Sequence, residues 1–241
     1  MIKLENIQFS YKDKIVLENI NIKIKEGESV AIIGPNGCGK STLLKLLNGL
    51  LIPKEGKYIF CGDEITNKKL NNNIFSKKFH KKIGFVFQDY NTQLFCQTVY
   101  DDVAFGPRQM GLTEDEIRNR VNDCLELLGI KHIADRVPYN LSGGEKKKVV
   151  IASVLSLNPE VLVLDEPLNE IDPRGKKFLK ELLIKLNEIG KTIICSTHEF
   201  EYINGVFKRG IVFSEDHSII RDDDFEKILE DKEFLEKNNI I

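Results

Sequence analysis

GPNGCGKS, residues 34–41, is the stretch on which the reading of this sequence turns. It fits the pattern G-x-x-x-x-G-K-[ST], with Gly34, Gly39, Lys40 and Ser41 at its fixed positions. ESVAIIG before it reads as a buried strand, and STLLKLLNG after it reads as the start of a helix. Glycines let a backbone wind tightly enough for successive N–H groups and a helix N-terminus to face one anion. Lys40 then reaches the terminal phosphates and the Ser41 hydroxyl a magnesium ion, with Pro35, Asn36, Gly37, Cys38 and Thr42 completing the binding loop. The pattern predicts a site for a nucleoside triphosphate.

Working outward, VLVLDE at 161–166 is an uninterrupted apolar run ending in two acids. Such a run suits a parallel strand buried on both faces, and ligands in open α/β sheets sit at the C-terminal ends of such strands. Asp165 is then placed to hold the magnesium ion through its water shell, and Glu166 to polarise an attacking water. LSGGE at 141–145 runs into KKKVVIASVLSL, so Ser142, Gly143 and Gly144 form a second anion-binding helix end.

The remaining pattern predicts an α/β protein. Ile2, Leu4, Ile7 and Phe9 alternate with polar residues, as does NINIKI at 19–24, which predicts a small antiparallel sheet. A strand is expected at 28–33, a helix from about 40 to 49, and strands at 57–60 and 82–88. The lysine-rich stretch TNKKLNNNIFSKKFHKK between those strands reads as a solvated surface insertion. From about 90 to 157 the period is helical: Thr113 opens a capping box, Ile117, Val121, Leu125 and Leu128 share a face, and Gly129 stops the helix. Strand and helix then alternate through 173–189, 192–196 and 211–213, and 224–238 reads as short helices.

With 241 residues, 41% hydrophobic and 30% charged, the chain has an ordinary globular balance and enough length for a large core. A formal net charge of −2 gives no electrostatic footprint for nucleic acid, and none is expected as a partner. No apolar run approaches the roughly 18 residues of a membrane span. MIKLENIQFSY at the start reads as a strand and lacks the apolar core of a signal peptide, so a cytosolic location is expected. Cys38, Cys61, Cys96, Cys124 and Cys195 are scattered and odd in number, which is no disulfide framework. Cys38 sits at a helix N-terminus where a thiolate is favoured; we read it as a small residue that fits the loop.

Taken together, these motifs resemble the ATP-binding cassette (ABC) family, whose signature is LSGGQ. The resemblance spans residues 2 to about 222 and implies a P-loop NTPase core of ABC type, with an N-terminal antiparallel β-subdomain and an inserted helical subdomain (about 90–157). Residues 1–222 are then the nucleotide-binding domain and 223–241 a short helical tail. It implies ATP and Mg2+ as ligands, hydrolysis of ATP, and a head-to-tail dimer in which one subunit's Ser142, Gly143 and Gly144 close over ATP held by the other. Tyr11 matches the ring that stacks on adenine, Gln88 the glutamine that serves magnesium, Asp172 the aspartate that reaches across the dimer, and His198 the histidine bonded to the γ-phosphate. The implied catalytic set is therefore Glu166, His198, Lys40 and Gln88, with Ser41, Gln88 and Asp165 on the metal.

A narrower resemblance lies in FQDYNTQLFCQTVYDDVAFGPRQMGL at 87–112, which is similar to ATPases of energy-coupling factor transporters. Gln93, Leu94, Phe95, Thr98, Val99, Asp102, Val103, Ala104, Phe105, Gly106 and Pro107 carry the match. It implies a peripheral subunit on the cytoplasmic face of the cell membrane, paired with a second ATPase (the same chain or a sister) and with integral membrane subunits, powering uptake of cobalt, nickel or a vitamin. Leu94, Phe95, Val99, Val103 and Phe105 are candidates for a groove that takes a partner's coupling helix and, equally, for core of the helical insertion. Alternatives are a soluble ABC ATPase acting on ribosomes or DNA and the ATPase of another transporter class. Departures from the pattern are Glu145 for the usual Gln, Lys148 for the frequent Arg, Leu168-Asn169-Glu170 where small residues are common, and Glu199 for Asp.

Overall fold

The computed structural model of the chain describes residues 1–200 and 202–241. β1 (Ile2–Tyr11) and β2 (Lys14–Ile24) form an antiparallel hairpin, with Ile2 opposite Ile24 and Tyr11 opposite Lys14. The register shifts between Leu4 and Ile7, where Asn6 adopts a left-handed φ of 48°. That irregularity returns Ile7 and Phe9 to the face already occupied by Ile2 and Leu4, so all four are buried. β3 (Ser29–Ile33) follows, wholly buried, and feeds through the glycine loop into α1 (Lys40–Leu47).

β4 (Glu55–Phe60) pairs with the far side of β1, and β5 (Asp63–Glu64) extends it, giving a sheet of order β2-β1-β4-β5. The lysine-rich insertion is helical: α2 (Asn67–Leu70) and α3 (Asn73–Lys82) are capped by Thr66 and Asn72. Its lysines are solvated as expected, but Phe79 is 3% exposed and stands edge-on to Phe60, with ring centroids 5.2 Å apart. One aromatic anchor every few turns suffices to dock a polar helix, and a hydrophobic count averaged over the stretch hides it.

β6 (Ile83–Val86) precedes a helical segment of α4 (Val99–Gln109), α5 (Glu114–Leu127) and α6 (Gly143–Leu155). Thr113 and Glu116 form the capping box, and Gly129 follows α5 with a φ of 66°. β7 (Val161–Asp165), α7 (Pro173–Glu188), β8 (Thr192–Ser196), α8 (Phe200–Ile203), β9 (Arg209–Phe213) and β10 (Ile219–Asp224) then complete a second sheet. Its order is β10-β9-β3-β8-β7-β6, with β9, β3, β8, β7 and β6 parallel and β10 antiparallel at the edge. Finally α9 (Phe225–Glu230) and α10 (Lys232–Lys237) pack back, burying Phe225, Ile228 and Leu235.

Two apolar layers result. Leu17, Ile32, Leu43 and Phe213 belong to the layer between the two sheets around α1. Val86, Val99, Val121, Val150 and Leu164 belong to the layer on the opposite face, beneath the helices. Covering both faces of the parallel strands explains why β3, β7 and β8 are apolar without alternation. The register matters most for function: Ile32 and Asp165 both lie opposite Ser196, and Val86 lies opposite Leu164. Four strands therefore end at one edge, and the loops leaving them meet there.

Candidate functional site

The loop leaving β3 carries left-handed glycines, with φ of 80° at Gly37 and 111° at Gly39. A Cβ at Gly39 would stand 2.4 Å from the Val16 carbonyl oxygen, so β2 sets how closely the loop winds. Lys40 is 7% exposed, and its ammonium donates to the carbonyls of Gly34 at 2.7 Å and Pro35 at 3.0 Å. These bonds hold the charged tip at the loop's centre. Cys38 is 1% exposed, and burial raises its thiol above the usual range, so it is a packed filler.

At the end of β7, Asp165 is 3% exposed and accepts from the Ser196 hydroxyl at 2.6 Å. The Glu166 N–H in turn donates to the same hydroxyl at 3.0 Å and to the Ser196 carbonyl at 3.1 Å. Glu166 adopts a φ of 47°, a conformation that costs a non-glycine residue about 1 kcal/mol and turns its side chain off the strand into the site. Neither of its buried carboxylate oxygens has a hydrogen-bond donor within the protein. His198 Nε2 lies 3.1 Å from Glu166 Oε1 but is not aligned for a hydrogen bond. Burial, opposed by the pull of Lys40 and reinforced by Asp165, pushes the Glu166 carboxyl up to about 7. Burial and the Lys40 charge hold the His198 imidazole below its ordinary value.

A cavity of about 430 Å³ has Gly37, Lys40, Ser41, Gln88, Glu166 and His198 in its lining, whereas Asp165, buried at the end of β7, is not on its wall. Gln88 is exposed in the bend two residues after β6, because the strand expected at 82–88 is paired only over Ile83–Val86. The loop beyond it is closed by Gln93, whose side chain accepts from the Phe87 N–H at 2.8 Å and donates to the Phe85 carbonyl at 2.9 Å.

Other predicted site residues lie elsewhere. Tyr11 stands 46% exposed at the end of β1, edge-on to Phe9. Ser142, Gly144 and Asp172 line a separate cavity of about 640 Å³ between α6 and α7, with Lys148 and Arg174 on its wall. Ser142 caps α6 in a box completed by Glu145, which accepts from the Ser142 N–H at 2.9 Å. Glu is as suited as Gln to that third position, so the departure at 145 leaves the helix end intact and adds a negative charge to it. Bonds from Ser142 hold the Glu145 carboxyl below its usual range. Asp172 caps α7, accepting from the Gly175 N–H at 2.7 Å.

The departure at Glu170 also finds a partner, and the backbone at Asn169 is held beside it. The Tyr90 hydroxyl donates to Glu170 at 3.1 Å, and the Lys147 ammonium donates to the Asn169 carbonyl at 2.8 Å while lying 4.9 Å over the Tyr90 ring. The loop after β6, helix α6 and the loop after β7 are thus joined by one partly buried cluster, in which Tyr90 and Lys147 are buried and Glu170 is exposed. Ser196, Tyr90 and Lys147 escaped the sequence reading; only the separation of hydroxyl and carboxylate across neighbouring strands, which pairing reveals, identifies Ser196. Of the five candidate groove residues, Val99 and Val103 are fully buried and Leu94 partly so, whereas Phe95 and Phe105 are 64% and 41% exposed.

Similarity to known proteins agrees with this arrangement. Residues 17–169 match the family described as ABC transporter. The chain is 62% identical over 241 residues to a putative ABC transporter ATP-binding protein of Clostridium acetobutylicum, covering all of both. It is 45% identical to the nickel import ATP-binding protein LarO of Lactiplantibacillus plantarum, over 92% of each chain. The solved structure of cbiO1 from Clostridium perfringens, described as part of the ABC transporter complex cbiONQ, superposes with a TM-score of 0.83 at 39% identity, covering 99% of this chain and 94% of that one. The ATP-binding cassette MJ0796, dimeric and bound to ADP and Pi, gives the same TM-score of 0.83 at 32% identity, over 93% of this chain and 98% of its own. A phosphate loop, an acidic strand end and a signature helix on this fold make the chain an ATP-binding, ATP-hydrolysing cassette, and it belongs to the ABC transporter family.

Proposed function

We propose that this chain drives an importer of the energy-coupling factor type, taking up a transition-metal ion such as nickel or cobalt, or a vitamin. One observation carries the proposal beyond the family: Phe95 and Phe105 form an edge-to-face pair 4.8 Å apart that the fold leaves in solvent. Paired aromatics are costly to expose and suit a partner's apolar helix. A shallow groove lined by Leu50, His80, Phe85, Phe87 and Leu157 lies beside Gly106, whose missing side chain brings it against Leu157. Relatives named for nickel import and energy coupling support the same reading. Among the described residues no helix is long and apolar enough to cross a membrane. In this reading the chain works on integral membrane subunits, at their cytoplasmic face.

In this reading Lys40 and the amides of residues 34–42 hold the phosphates of ATP. Ser41 and Gln88 line the cavity and Asp165 lies buried at the adjoining strand end; these are hard oxygen donors, too few to enclose a cation, which suits Mg2+ shared with phosphate and water. When bound, the ion neutralises charge on the transferring phosphoryl group. Glu166, with both oxygens free, accepts a hydrogen bond from the attacking water. His198 donates to the γ-phosphate. Because Ser142, Gly143, Gly144 and Asp172 sit outside the loop's cavity, they serve the ATP of a second subunit, a copy or a sister chain. Tyr11 stacks on adenine. Residues 90–157 form the helical subdomain within a nucleotide-binding domain of 1–222, and 223–241 the tail.

Capture of the native protein from detergent-solubilised membranes tests this. Co-purification of an integral membrane scaffold and a small substrate-binding membrane subunit, lost in Phe95→Asp with basal ATPase retained, is expected. Recovery of ribosomal or DNA-associated partners alone overturns the transport reading and leaves the ATPase chemistry standing.

A further inference from the structure

The turn joining β9 to β10 lies outside every motif discussed above, yet it touches the phosphate loop. His217, at the tip of that turn, places Nδ1 3.1 Å from the Cys38 carbonyl oxygen. A carbonyl only accepts, so Nδ1 carries the proton and donates. The turn is held in place independently of this bond. Ser214 and Ser218 exchange contacts across it, the Ser214 N–H donating to the Ser218 carbonyl at 2.9 Å, and the His217 carbonyl accepts from the Glu18 N–H of β2 at 3.0 Å. His217 itself adopts a left-handed φ of 65°, an uncommon choice for a residue with a side chain. On the same side, a Cβ at Gly34 would lie 2.7 Å from the Phe213 carbonyl oxygen, so the end of β9 backs the loop closely.

We infer that His217 is a positioning residue for phosphate binding, aiming the Gly39 amide by gripping the Cys38 carbonyl from behind the loop. The peptide between Cys38 and Gly39 is trans, as are all those described. A trans peptide is planar, and its C=O and N–H point in opposite directions. Holding the Cys38 oxygen toward the turn therefore turns the Gly39 N–H toward the opposite side, where Gly39 lines the 430 Å³ cavity with Lys40 and Ser41. The rotation matters at this position because Gly39, with φ of 111°, has no side chain to restrict it. An anion site made of backbone amides works only when the amides are aimed before the anion arrives. The hairpin thus does for the loop what an outer hydrogen bond does for a catalytic imidazole: it fixes orientation without touching the ligand.

The inference rests on residues 34–41 being the phosphate site, and the test separates the two. ATP affinity is measured by calorimetry in the presence of magnesium for the wild type, His217→Gly, His217→Asn and Lys40→Ala, with thermal unfolding of each. Glycine accepts the left-handed turn without strain and removes the donor; asparagine tolerates that conformation and offers an amide N–H near the position of Nδ1. His217→Gly should raise the Kd for ATP roughly threefold to tenfold, the range of one hydrogen bond, and His217→Asn should restore most of the loss. Lys40→Ala should lose binding far more severely. Wild-type affinity in His217→Gly, or equal weakening in both His217 variants, overturns the role of His217 while a defective Lys40→Ala keeps the loop assignment. Undiminished binding in Lys40→Ala overturns both. A turn that is merely structural would change the unfolding temperature of His217→Gly and leave its Kd unmoved.

Discussion

Replacing Ser196 with alanine is the sharpest test of how the strand ends hold the acidic pair. The hydroxyl donates to Asp165 Oδ1 at 2.6 Å and accepts from the Glu166 N–H at 3.0 Å, and all three residues are at most 5% exposed. The Glu166 N–H keeps a second acceptor, the Ser196 carbonyl at 3.1 Å, so its loss is small. Asp165 Oδ1 keeps no protein donor, and a buried hydrogen bond to a charged acceptor contributes about 1.5–3 kcal/mol. We therefore expect Ser196→Ala to lose about 2 kcal/mol of unfolding free energy, with the denaturant midpoint moving and the slope unchanged. The pairwise part is isolated by a double-mutant cycle with Asp165→Ala, which removes the acceptor, and the coupling should be about 1.5 kcal/mol or more. ATP turnover should fall with it, because the freed carboxylate no longer holds one orientation. A coupling below about 0.5 kcal/mol, within the error of additivity, would refute the reasoning.

Three further outcomes follow from particular contacts. Phe79→Ala should cost about 3 kcal/mol of stability by chemical denaturation, because it empties the site against Phe60; a loss near zero would mean that α3 does not dock. Burial holds the His80 imidazole below its ordinary value, so the folded chain resists a proton that the unfolded chain accepts. Stability is then lost as pH falls below about 6.5, and His80→Gln should show a shallower loss in that window; identical slopes would rule out this contribution. Glu145→Gln removes a negative charge from the N-terminal end of α6. On the proposed two-subunit site it should strengthen ATP-driven dimerisation, measured by sedimentation in a Glu166→Gln background, by roughly twofold to fivefold at low salt and less at high salt; weaker dimerisation would contradict the anion-binding role of that helix end.

Much of the candidate site was legible because its chemistry is local. The loop at 34–41, the acids ending β7 and the capped helix at Ser142 are each contiguous, and backbone geometry over a few residues fixes what each can bind. The buried strands were legible for a similar reason: covering both faces demands apolar residues without alternation. Less visible was β10, which the sequence pattern did not mark as a strand after 211–213, and which pairs because β9 offers an open edge and Arg209 binds Asp222 at 2.6 Å. The start of β2 at Lys14, five residues before the alternation becomes clean, likewise comes from pairing with β1.

The amino-acid sequence on its own determined the chemistry carried by each loop, the order of the elements and the family. Tertiary structure alone decided which of those loops share a cavity and what holds them there. Ser196 meets Asp165 across 31 positions, Tyr90 meets Glu170 across 80, and His217 meets Cys38 across 179. No periodicity or spacing encodes such contacts, because they exist only once strand register has brought the C-terminal ends of β3, β6, β7 and β8 to a common edge. The same register left Ser142 and Asp172 beside a different cavity, separating within one chain two sets of residues that the proposed function joins across two subunits.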